Sequence, residues 1–122
     1  PAMPGPRGGL AVVSLRGKVY ACGGDCGNGI GLSTVDCFDP ASESWSSCLP
    51  MLNSRGDFAS AVMGGCLYVL GGVRSCNPGT SAERSVERFD PETGAWELLP
   101  WELPQGQTIF LAGVVWSGAL VE

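Results

Sequence analysis

Cys66-Leu67-Tyr68-Val69-Leu70-Gly71-Gly72 is a short apolar strand running straight into two glycines, and Lys18-Val19-Tyr20-Ala21-Cys22-Gly23-Gly24 repeats it 48 positions earlier. Arg7 and Arg55 keep the same offset of 48. Beyond the glycines the offset becomes 51, pairing Phe38-Asp39-Pro40 with Phe89-Asp90-Pro91 and Trp45 with Trp96. An offset that changes only inside a Gly/Ser/Asn-rich loop marks true repetition with a loop insertion, and a period near 50 points to stacked units rather than one irregular domain.

Each unit is expected to hold four short strands. In the second they are Phe58 to Met63, Cys66 to Leu70, Val86 to Asp90 and Trp96 to Leu99, the last stopped by Pro100. In the first they are Leu10 to Leu15, Lys18 to Cys22, Val35 to Asp39 and Trp45 to Leu49. Gly64-Gly65 is a two-residue hairpin turn, and Pro91 to Ala95 places proline early and glycine late, as a turn demands. The first two strands of each unit are apolar on both faces, so both faces are expected to be covered. Glu87, Arg88 and Glu97 place the third and fourth strands nearer solvent. Small residues in the first strands (Ala59, Ser60, Ala61; Gly9, Ala11) suit a crowded centre. This is the layout of propeller blades around a channel.

The composition agrees. Nineteen glycines and nine prolines accompany 44% hydrophobic residues, which suits many tight turns between strands and not a disordered segment. Seven Lys and Arg stand against twelve Asp and Glu, with no His and a formal charge of −5. Without a basic face, nucleic-acid binding is excluded from the expectations. No apolar run is long enough to span a membrane, and the opening Pro1-Ala2-Met3-Pro4-Gly5-Pro6 reads as the start of an excerpt from a longer chain.

The six cysteines (Cys22, Cys26, Cys37, Cys48, Cys66, Cys76) admit a disulfide or a metal reading. The three-residue spacer between Cys22 and Cys26, and the lack of His, disfavour zinc. Most of the cysteines stand at strand positions where another apolar residue would serve, and no Asn-x-Ser/Thr acceptor is present. They are read as free thiols in a reducing compartment, the cytoplasm.

The pattern of Arg, small-residue strand, Leu-Tyr-Val-Leu-Gly-Gly, Val-Glu-Arg-Phe-Asp-Pro, Trp and Leu-Pro resembles the kelch repeat, and is most similar to that of the Kelch-like (BTB-kelch) proteins. The resemblance implies an all-β kelch β-propeller fragment. It would comprise one repeat over 7–52, a second over 55–104, and a half repeat over 105–122 with a terminal strand. Leu111 to Trp116 is then the strand that closes the ring, or else the start of a further blade. Six blades are usual in the family. Gly23, Gly24, Gly71, Gly72, Tyr20, Tyr68, Trp45 and Trp96 are the structural residues of the motif. Glycines let backbones approach closely, and the large aromatics anchor adjacent sheets. Two blades alone leave two apolar faces uncovered, so the isolated chain is expected to aggregate or fold poorly.

No catalytic constellation is present and no cofactor or metal is expected. Gly23-Gly24-Asp25-Cys26-Gly27-Asn28-Gly29 follows a strand but enters a loop, so it is no phosphate cradle. Copper oxidases of kelch-like fold need His ligands, which this chain lacks. What remains is loop surface. Carried over from the Kelch-like family, contact positions lie before the first strand and after the glycine pair of each blade. These are Arg7, Arg55, Asp57, Asp25, Val73 and the adjacent Arg74. Arg offers a planar fork to an acidic peptide. The alternative is that Arg7 and Arg55 satisfy carbonyls between blades, which their repetition favours. The longer loop from Val73 to Ser85, with Arg74, Asn77, Pro78 and Arg84, is unique to one blade and carries partner specificity in this reading.

The resemblance implies a non-catalytic module that binds a protein or peptide, recruiting substrates to a cullin-type ubiquitin ligase through a BTB domain outside this chain. An actin- or cytoskeleton-binding scaffold, or the non-catalytic blades of a propeller oxidase, are the alternatives.

Overall fold

The computed structural model of the chain describes residues 2–75 and 81–104. Cys76, Asn77, Pro78 and the expected closing strand lie outside the described residues. Among those described, all regular structure is β. The first blade is an antiparallel sheet of β1 (Ala11–Leu15), β2 (Lys18–Cys22), β3 (Val35–Asp39) and β4 (Ser44–Ser47), paired in chain order. The second blade comprises β5 (Ala59–Met63), β6 (Cys66–Leu70), β9 (Ser85–Asp90) and β10 (Ala95–Glu102), again with sequential neighbours. A two-stranded ribbon, β7 (Val73–Ser75) with β8 (Ser81–Ala82), occupies the inserted loop.

The inner hairpins turn on Arg16-Gly17 and Gly64-Gly65, all four residues with positive φ. That is the geometry whose twist matches paired strands. The outer strand of the second blade differs from expectation: it continues through Pro100 to Glu102, with a register shift between Leu98 and Glu102. β10 lies at the sheet edge, where the missing N–H of proline costs no ladder bond.

One apolar core spans both blades. Tyr20, Cys22, Val35 and Cys37 of the first meet Leu67, Val69, Phe89 and Trp96 of the second, with Met51 from the connecting chain between them. The Tyr20 and Phe89 rings meet edge-on at 5.3 Å, Phe89 lies 5.1 Å from Trp96, and Trp96 Nε1 donates to the Leu49 carbonyl at 3.0 Å. Trp96 therefore anchors one blade to the chain leaving the other, while Trp45 lies 5.3 Å from Phe38 on the opposite face of the first blade. The inner strands are not covered on both sides throughout: Val12 is 61% exposed. Nor do all polar residues of the third strands face solvent, because Glu87 is fully buried.

The glycine pairs serve close packing. A Cβ on Gly72, at φ +97°, would lie 2.6 Å from the Gly56 carbonyl oxygen and 2.7 Å from Phe58 Cβ. On Gly24 it would lie 2.6 Å from the Gly8 oxygen and 3.0 Å from Leu10 Cβ. The same crowding thus recurs in both blades. Gly72→Ala is expected to lower stability by more than about 1 kcal/mol. Gly8→Ala, whose added carbon meets nothing within 4 Å, should stay within about 0.5 kcal/mol of the parent. Urea unfolding of the two variants measures the difference, and equal midpoints would contradict this role for the glycine.

Candidate functional site at the loop face

The segments before the first strands and after the glycine pairs are tied together at one end of the blades. Gly8 and Asp25 exchange backbone hydrogen bonds at 2.9 Å in both directions, and their counterparts Gly56 and Val73 do so at 2.9 and 2.8 Å. Other bonds cross between blades. Asp57 N donates to Gly9 O at 2.8 Å, Gly24 N to Arg55 O at 3.0 Å, Arg55 N to Leu32 O at 3.0 Å and Gly31 N to Arg74 O at 2.7 Å. Loops pinned this way make a preformed surface.

Pinning continues through the two arginines. Arg55 Nη1 donates to the carbonyls of Gly71 (3.0 Å) and Ser85 (2.9 Å), and Nη2 to Ser85 Oγ (2.8 Å) and Glu87 Oε2 (2.5 Å). Arg7 repeats the pattern with the counterpart residues. Its Nη1 faces the carbonyls of Gly23 and Thr34 (both 3.3 Å) and Thr34 Oγ1 (3.1 Å), and its Nη2 faces Asp36 Oδ2 (2.6 Å). The side chains of Arg55 and Glu87 are wholly buried, and that of Arg7 is 4% exposed. The carbonyls they satisfy belong to their own blade. Glu87 adds a side-chain tie to the chain connecting the blades, accepting from Leu52 N at 2.6 Å and Asn53 N at 3.0 Å.

A cavity of about 480 Å³ opens at this face between Pro6, Arg7, Gly8, Gly9, Asp25, Cys26, Gly27 and Asp57. It brings together three residues nominated from sequence: Arg7, Asp25 and Asp57. Asp25 accepts from the Gly27 amide. Asp57 is exposed, and its φ of +50° matches that of its counterpart Gly9 at +59°. The fold thus imposes a left-handed backbone at both positions, and Asp is among the few side chains that tolerate it. The others lie apart from this cavity. Val73 is buried. Arg74 is half exposed, 3.5 Å from Glu83. Arg84 donates to the Leu103 carbonyl at 2.9 Å and stands 3.7 Å from Glu102. Asn77 lies outside the described residues. Sequence reasoning missed Asp36 and Glu87 as arginine partners. Their signal was available: both are acidic, 51 apart, at the second or third residue of the third strand.

Among the described residues, no three of His, Cys, Asp and Glu are grouped to hold a metal ion. The five described cysteines are free thiols. Burial pushes the Cys22 thiol up to about 12. Burial, reinforced by the neighbouring Cys37, pushes Cys48 up to about 11. Tyr20, against the same thiols, is raised to about 12, mainly by burial. At pH 8 a thiol at that level for Cys22 leaves only about one molecule in ten thousand as the reactive thiolate. Brief iodoacetamide treatment of the folded chain should therefore label exposed Cys26 well before Cys22, as read by peptide mass spectrometry. Equal labelling of the two would contradict the packing described.

A model of the Kelch motif matches residues 6–52 and 54–100. Kelch-like protein 23 of Mus musculus is 34% identical over 98 residues, covering 80% of this chain and 16% of its own length. Kelch-like protein 25 of Homo sapiens is 35% identical over 104 residues, covering 80% and 17%. An F-box/kelch-repeat protein of Arabidopsis thaliana is 38% identical over 98 residues, covering 78% and 20%. The chain thus spans 16–20% of the length of these relatives. Among solved structures, that of YjhT superposes with a TM-score of 0.73 at 20% identity, over 86% of this chain and 40% of its own. A fungal alcohol oxidase in complex with copper gives 0.70 at 21%, over 81% and 23%. At such identities these two likenesses concern the fold alone. With both four-stranded blades matched by the Kelch motif, the chain belongs to the kelch family.

Proposed function

We propose that these blades form part of a protein-interaction module, non-catalytic and without a cofactor, that binds a partner protein at the loop face. The observation that carries this reading is the cavity of Arg7, Asp25 and Asp57, set on loops that backbone bonds hold across two blades. Rigid scaffolds presenting variable loops are how folds of this kind acquire binding sites. An enzyme reading has no support in this chain, which lacks His and so any imidazole for copper or for a proton-transfer triad.

The chemistry of the face refines the expected partner. The Arg7 and Arg55 guanidiniums are engaged internally, so they position the loops instead of gripping an acidic peptide. The charge left to the cavity is that of Asp25 and Asp57, which suits a basic residue on the partner. Arg74 on β7 and Arg84 after β8 extend the surface with features the first blade lacks. Similarity to the Kelch-like proteins supports the finer proposal: a substrate-recruiting domain of a cullin-type ubiquitin ligase adaptor. Docking to the ligase would occur through a BTB domain outside this chain, in the cytoplasm. Among the described residues, no helix is long and apolar enough to cross a membrane.

The test is affinity capture with the full-length protein, its Asp57→Asn variant, which removes the charge and keeps a side chain that tolerates positive φ, and a version whose residues 73–85 are replaced by the shorter loop of the first blade. A cullin should be recovered with all three, while at least one further partner is lost from the two altered forms. Loss of no partner would overturn the loop-face site. Absence of a cullin from every capture would overturn the adaptor role and leave the site standing.

A further inference from the structure

Three thiols share one face of the first blade. Register places Tyr20 opposite Cys37, Cys22 opposite Val35 and Cys37 opposite Ser46. Cys48 N extends the ladder by donating to the Val35 carbonyl at 2.9 Å. Side chains at these positions leave the pleat on the same side, so Tyr20, Cys22, Cys37 and Cys48 meet the core between the blades together. The Cys48 thiol donates a hydrogen bond to Cys37, and the Tyr20 hydroxyl donates another to the same sulfur. The matching positions of the second blade, Tyr68, Leu70, Arg88 and Leu99, hold no sulfur. The repeat therefore does not call for these thiols, and the fold sets two of them against each other.

Cys37 and Cys48 are diagonal neighbours on paired strands, a relation that sets Cα atoms about 7–8 Å apart. A disulfide spans up to about 6.8 Å between Cα atoms. A direct S–S bond would therefore strain the sheet, whereas a single atom held between the two sulfurs would not. We propose that Cys37 and Cys48 form a two-thiol site for a thiophilic centre of the trivalent arsenic class. Sulfur is the soft donor such a centre selects. Cys48 is half-buried and borders a cavity of about 380 Å³ with Leu32, Val35 and Pro50, so it is reached first. Cys37, 7% exposed, closes the chelate behind it. With an arylarsine oxide the step balances: two As–S bonds replace the bonding to oxygen, both thiol protons leave with that oxygen as one water, and arsenic stays trivalent. No thiolate is needed for this balance, so burial of the two thiols does not oppose the product. The bound centre joins β3 to the start of the segment that carries Leu52 and Asn53 to Glu87. The site does not depend on the loop-face reading.

Phenylarsine oxide is added to the full-length protein and to its Cys22→Ala, Cys26→Ala, Cys37→Ala and Cys48→Ala variants. Intact mass is then read after treatment with excess monothiol, with far-UV circular dichroism to follow folding. A two-thiol chelate resists a monothiol because its second bond is intramolecular, whereas an adduct on one thiol is removed. The Cys22→Ala and Cys26→Ala variants should retain as much probe as the parent. Cys37→Ala and Cys48→Ala should each retain one equivalent fewer, and excess dithiol should release that equivalent from the parent. Equal retention by the parent and Cys48→Ala overturns the proposal, as does a parent that retains none. Loss of the equivalent from folded Cys22→Ala in place of Cys37→Ala also overturns it. If a change at buried Cys22 or Cys37 prevents folding, Cys48→Ala against Cys26→Ala still decides.

Discussion

Arg55 and Glu87 place two opposite charges wholly out of water, 2.5 Å apart. Each ion alone would pay a desolvation penalty of several kcal/mol, offset only by good geometry and further hydrogen bonds. Both partners have those bonds. The guanidinium reaches two carbonyls and a hydroxyl, leaving only its Nε without a partner. The carboxylate takes the amides of Leu52 and Asn53. The pair therefore fixes four separate stretches at once: the start of the second blade, its glycine pair, its third strand, and the chain arriving from the first blade. Arg7 and Asp36 reproduce the first three ties. The fourth cannot recur in full, for the residue matching Leu52 is Pro4, which has no N–H to give, and only Gly5, matching Asn53, retains one.

This arrangement divides the chain into a frame that repeats and a surface that does not. The frame consists of the arginine–acid pairs, the crowded glycines and the aromatic contact between blades. The surface consists of the loops that the frame holds: Asp25, Asp57 where the first blade has Gly9, the β7–β8 ribbon with Arg74 on it, and Arg84 after it. In the proposed reading, a partner at the loop face meets the second set, because the side chains of the first are engaged within the protein. In the proposed reading a change at Arg74 alters binding with little effect on folding, a change at Asp57 does so only where the new side chain tolerates positive φ, as Asn does, and a change at Glu87 acts on folding first.

The frame was legible where its parts are local and repeated. Tyr20/Tyr68, Trp45/Trp96 and the glycine pairs announce a four-stranded unit because spacing and residue type recur together. The strand ends were less legible. Pro100 reads as a stop, yet at a sheet edge its missing N–H breaks nothing. Glu87 was misplaced because an acid amid apolar residues signals solvent unless its partner is known, and that partner stands 32 positions earlier, at Arg55. For the same reason ligand contact stayed open for Arg7 and Arg55, although their repetition already favoured a structural role. Of the loop face, Asp25 and Asp57 could be nominated from position in the repeat. The cavity they share depends on bonds between blades that sequence does not display.

The arginine–acid pair is the tie on which the loop face depends. A double-mutant cycle on Arg55→Met and Glu87→Leu, followed by denaturant unfolding, tests it most directly. Each single change leaves a buried charge without its partner and is expected to cost on the order of 3–5 kcal/mol, while the double change, which buries no charge, should cost less than the two together by several kcal/mol. Single costs that simply add, within about 0.5 kcal/mol, would show the two side chains acting independently and would contradict this account.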